Sequence, residues 1–76
     1  MYAKWLLMRR ERDKKVLQRL QHYMERDYPW VTSRELQYYF GFDPAGPLNR
    51  LLDNGLVEVE RNAGPRGAHN WRATVR

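Results

Sequence analysis

Apolar residues spaced three and four apart open the readable part of the chain. Val16, Leu17, Leu20, Tyr23 and Met24 fall on one side of a helix, while Lys14, Lys15, Arg19, Glu25 and Arg26 fall mostly elsewhere. This pattern predicts a helix over residues 12–27, ended by Pro29, which disfavours helix at Tyr28. A second helix is announced by Thr32-Ser33-Arg34-Glu35, a capping box in which the Thr32 hydroxyl takes a backbone N–H and Glu35 reaches back. Leu36, Tyr39 and Phe40 are its apolar face. Gly41 ends it, since glycine accepts the left-handed conformation of a tight helix exit.

A third helix follows the turn Gly41-Phe42-Asp43. Asp43 could cap it with Pro44 at the first position, but Pro47 would then lie inside the helix, where proline costs stability. A start with Pro47 near the first helical position is preferred. Leu48, Leu51 and Leu52 form its buried face, and Asn54-Gly55 stops it after about two turns. The period then changes to two. Val57 and Val59 alternate with Glu58 and Glu60, and Trp71, Ala73 and Val75 alternate with Arg72, Thr74 and Arg76. Residues 62–69 between these runs hold Gly64, Pro65 and Gly67, an exposed and turn-rich loop. The expected class is α+β, three helices followed by a two-stranded β-hairpin.

Length and composition narrow this picture. A chain of 76 residues is one domain at most and buries roughly 60–65% of its unfolded surface. A hydrophobic fraction of 42% and an aromatic fraction of 13% suffice for one modest core. The absence of cysteine excludes a disulfide, a thiolate metal site and a cysteine nucleophile, and fits an intracellular, cytoplasmic protein. Near the start, Trp5-Leu6-Leu7-Met8 is halted by Arg9, too short a run for a membrane span or a signal peptide. Residues 1–12 are read as an arm or an extension of the first helix, and 13–76 as the folded domain. Trp5, Leu6 and Met8 either cover the core or meet a second copy, which makes them the candidate homodimer interface.

The net charge of +5 is unevenly placed. Residues 9–19 hold Arg9, Arg10, Arg12, Lys14, Lys15 and Arg19 against Glu11 and Asp13; residues 61–76 hold four arginines and no acid; residues 34–60 are acidic on balance. Two basic ends suit a polyanion.

The order of elements, with the string Leu48-Asn49-Arg50-Leu51-Leu52-Asp53-Asn54-Gly55-Leu56-Val57 and the stretch Thr32-Ser33-Arg34-Glu35-Leu36 before Gly41, resembles the winged helix-turn-helix family, in its broad look the small prokaryotic, archaeal or viral transcription regulators. The resemblance covers residues 13–76. It implies a third helix in the DNA major groove and a wing on backbone or minor groove. By position it implies double-stranded DNA contacts from Ser33 and Arg34 at the second helix start, Asn49 and Arg50 on the third helix, and Arg61, Arg66, His69 and Arg72 in the hairpin. Arginine can read guanine and asparagine adenine, and both ends supply charge for phosphates. The third helix is about a turn shorter than the family's usual one and is flanked by Asp43 and Asp53. Wing and N-terminal basic residues should therefore carry much of the affinity.

Plainer roles stand beside these. Arg50 has Asp53 three residues on, Arg72 shares a strand face with Glu58 and Glu60, and Trp30 and Trp71 suit a core better than a stacking platform. His22 and His69 lie far apart, which speaks against a metal site, and no catalytic set or phosphate loop is present. The expectation is a binding domain and not an enzyme, with no cofactor and no small-molecule substrate. It would be a DNA-binding transcription regulator, associated with the nucleoid, or alternatively a winged-helix protein–protein module within a larger assembly.

Overall fold

The computed structural model describes residues 10–26 and 29–74. Among the described residues, three α-helices and a three-stranded antiparallel sheet follow the order α1 (Glu11–Met24), β1 (Val31–Thr32), α2 (Ser33–Phe40), α3 (Ala45–Asp53), β2 (Val57–Glu60) and β3 (Asn70–Ala73). The α+β class is as expected. The sheet is larger than the expected hairpin: its strand order is β1-β3-β2, and Val31 pairs with Trp71 while Thr32 pairs with Asn70. Two residues are too few to display an alternating pattern, which is why β1 is invisible to periodicity.

The helix ends follow local chemistry. Helix α1 stops at Met24, earlier than the expected residue 27, because Glu25 and Arg26 donate to the carbonyls of His22 and Tyr23 in tighter turns. The start of α2 is the capping box read from sequence. Thr32 Oγ1 accepts from the Glu35 N–H, and Glu35 Oε1 accepts from the Thr32 N–H, both at 3.2 Å. Gly41 closes α2 at φ 79°, in the left-handed region.

Helix α3 begins at Ala45 and not near Pro47, and its nine residues exceed the expected two turns. Asp43 Oδ1 accepts from the Ala45 N–H at 3.0 Å. Pro47 becomes the third helical residue, where an N–H would have no intrahelical acceptor, so the proline removes nothing. The first such donor is Leu48, bonded to the Pro44 carbonyl at 2.8 Å.

The core lies between α1, α3 and the inner face of the sheet. Val16, Leu17 and Leu20 of α1 meet Leu36, Leu48 and Leu51 from the other helices, and Val31, Val57, Trp71 and Ala73 from the strands. Trp71 faces Val59 across the β2–β3 pair and Val31 across the β1–β3 pair, so the central strand presents its largest side chain to the core. Trp30 is only half-buried.

Thr32 is both the last residue of β1 and the cap of α2. Thr32→Ala should lower stability by about 1 kcal/mol, read as a lower urea midpoint at unchanged slope. Thr32→Ser, which keeps the hydroxyl, should retain most of it.

Candidate nucleic-acid interface

The eight side chains expected to contact DNA divide by what already holds them. The Arg50 guanidinium is bound side-on by Asp13 of α1, with Nε on Oδ2 and Nη2 on Oδ1, each at 2.8 Å. Asp13 is 3% exposed, whereas the Arg50 side chain keeps 40% of its surface. The carboxylate beside Arg50 is thus Asp13, 37 positions away, and not Asp53 as the helical spacing suggested. The hydrogen bond to Asp13 raises the Arg50 pKa; burial acts against it and the carboxylate's charge adds to it. A raised arginine pKa gives a contribution complete below the unfolded value and lost only above it, so the arginine stays charged throughout ordinary pH.

Arg72 is also engaged. Its Nε donates to Glu58 Oε1 at 2.6 Å, across the register pair Glu58–Arg72, and its guanidinium lies 4.4 Å from the Trp30 ring centre. This is the cross-strand pairing weighed against DNA contact.

Three arginines remain exposed and make no ion pair among the described residues: Arg34 on α2, Arg61 after β2, and Arg66 in a short 3-10 turn at the hairpin tip, Pro65–Gly67. Asn49 is exposed on α3, and Ser33 is half-buried as the first residue of α2. His69 is half-buried, its Nδ1 accepting the Asn62 N–H at 3.1 Å, so it braces the loop. Trp5, Leu6 and Met8, the candidate dimer surface, lie outside the described residues.

Arg34 and Arg66 are 32 positions apart in sequence yet line one concavity of about 460 Å³ with Thr32, Glu35 and Ala68. The pairing of β1 with β3 brings them there, by fixing the start of α2 beside the hairpin. Glu35 adds a carboxylate to this concavity, but the capping box holds its Oε1 on Thr32.

The hairpin tip is built to display Arg66. The Gly64 N–H donates to the Ala68 carbonyl at 2.7 Å, and the Gly67 N–H to the Gly64 carbonyl at 3.1 Å. A Cβ on Gly64 would stand 2.9 Å from both the Ala68 carbonyl oxygen and Asn70 Oδ1, so only glycine fits. Arg66 itself adopts φ 58°, ψ 31°, a left-handed conformation costing a non-glycine residue roughly 1–2 kcal/mol.

Among the described residues, no three His, Asp or Glu side chains are grouped to hold a metal ion, and no helix is long and apolar enough to cross a membrane. No protein-family model, curated protein or solved structure matches the chain.

In a double-mutant cycle of Asp13→Asn and Arg50→Met, the two changes should couple by about 1–3 kcal/mol in urea unfolding. At the tip, Arg66→Gly should leave stability within about 1 kcal/mol of wild type, as relieved strain offsets added chain freedom. Gly64→Ala should destabilise clearly in the same measurement.

Proposed function

We propose that this chain is a winged helix-turn-helix domain that binds double-stranded DNA, chiefly through its phosphates, and that it regulates rather than catalyses. Three helices followed by an antiparallel hairpin are the element order of that family. The observation that carries the DNA reading is the convergence of Arg34 and Arg66 on one concavity, with Arg66 presented on a braced tip in a conformation that glycine would adopt more cheaply. A strained position occupied by an exposed arginine suits a side chain needed for contact.

The contact set is narrower than position alone implies. Arg34 and Arg66 neutralise phosphates, assisted by the first-turn N–H groups of Ser33 and Arg34, which have no acceptor within the helix. Arg61 adds charge at the base of the loop, and Asn49 remains available to a base edge. Arg50 and Arg72 act mainly within the fold: one ties α3 to α1, the other ties β3 to β2. Recognition then leans on backbone and groove shape more than on base reading.

The test is a titration of labelled random duplex at two salt concentrations. Wild type should bind with an affinity that falls steeply with salt. Arg66→Ala and Arg34→Ala should each weaken binding on all sequences and reduce the salt slope by about 1. No binding at low salt, or an affinity indifferent to salt, would overturn the proposal.

A further inference from the structure

A second surface begins where the first ends. Helix α2 exposes two aromatic side chains, Tyr38 at 92% and Tyr39 at 56%. With Tyr23, Arg34 and Glu35 they line a concavity of about 620 Å³ that shares Arg34 with the hairpin concavity. Beyond Tyr39 lies a third hollow, about 260 Å³, lined by Lys15, Gln18, Arg19, His22, Tyr39 and Phe40. The three form one track along α2, from the hairpin tip to the flank of α1.

The α1 flank has its own pattern. Arg12, Lys15, Arg19 and His22 recur at spacings of three and four, which sets them in one row, and Arg26 continues it just past the helix. Glu11 and Glu25 border this row at its two ends, but none of its lysine or arginine side chains is in an ion pair among the described residues. Two of the cations rest instead on rings: Arg19 lies 4.0 Å from the Tyr39 ring centre and 4.9 Å from that of Tyr23, and Arg12 lies 4.6 Å from that of Phe42. Arg26 Nη2 lies 3.4 Å from His22 Nε2. Arg12 and Arg19, held over aromatic faces, have no ion-paired carboxylate among the described residues to compete with an anionic partner.

We propose that this track binds a single-stranded nucleic acid, with a base stacking on Tyr38 and phosphates neutralised by Arg34 at one end and by Lys15 and Arg19 at the other, where Arg19 and Phe40 already hold Tyr39. The charge fixes the partner as an anion, and the exposed rings fix which anion. Bases within a duplex are stacked on one another, so free tyrosine faces find partners only where a strand is unpaired. The Glu35 carboxylate, the acid lining the track, is held back on Thr32 by the capping box. This reading shares Arg34 with the duplex proposal, but it rests on Tyr38 and on α1, which that proposal does not use.

The probes are labelled oligothymidylate and oligouridylate of about twelve nucleotides, within the usual span of such sites, beside a blunt duplex, all titrated by anisotropy. The wild-type chain should bind at least one of the two strands. Tyr38→Ala should weaken strand binding at least about fivefold, the loss expected for one stacked base. Tyr38→Phe should retain it, and neither change should alter duplex affinity. The Tyr38 side chain is nearly fully exposed, so its variants should fold, as circular dichroism would verify. Strand binding without duplex binding would support this proposal and sink the other. Absence of strand binding by folded wild type would overturn it and leave the tyrosines to a protein partner. So would a Tyr38→Ala variant that binds strands as wild type does, or that loses duplex and strand equally.

Discussion

The pairing of Val31 and Thr32 with Trp71 and Asn70 is the constraint on which the remaining arrangement depends. It is only two residues long, yet it makes β3 the central strand and fixes the first residue of α2 beside the loop that leaves β2. Thr32 serves twice, as a strand residue and as a helix cap, so the direction of α2 is set at the point where the sheet ends. A slip of one residue in this pairing would turn Val31 from the core to the outside. It would also part Arg34 from Arg66.

Charge in this molecule is sorted by geometry more than by sequence neighbourhood. Asp13 lies within the basic N-terminal run, where it looks like one more solvated acid, but the helical period turns it inward beside Val16 and Leu17. There it takes both nitrogens of the Arg50 fork and links the first helix to the third. Arg72 is neutralised by the strand opposite it. Arg34, Arg66 and the row on α1 are left without an ion pair among the described residues. A net charge alone would not distinguish these from the arginines that act within the fold.

The three helices, the capping box, the Gly41 exit and the β2–β3 alternation were legible because each depends on residues a few positions apart. The α3 start departs from the expectation because proline is costly only where an N–H is needed, and the whole first turn has unused N–H groups. The partner of Arg50 differs from the expected one for another reason: helical spacing offers only neighbours three or four residues away, and Asp13 comes from another helix. Strand β1 and the meeting of Arg34 with Arg66 share that cause, since both exist only once distant segments pair. The exposure of Tyr38 was within reach of the sequence, being set by the same period that buries Leu36.

The placement of β3 in the middle leaves the sheet two edges, and both are poor templates for another molecule. Strand β1 offers two residues, and β2 offers four in which Glu58 and Glu60 alternate with valines. Strand addition from a second molecule would have to desolvate those carboxylates or set them against its own. Growth of the sheet from molecule to molecule, the route to fibrils and precipitates, is thereby disfavoured at its first step. Among the described residues, short and charged edges thus leave little backbone open to a neighbouring strand.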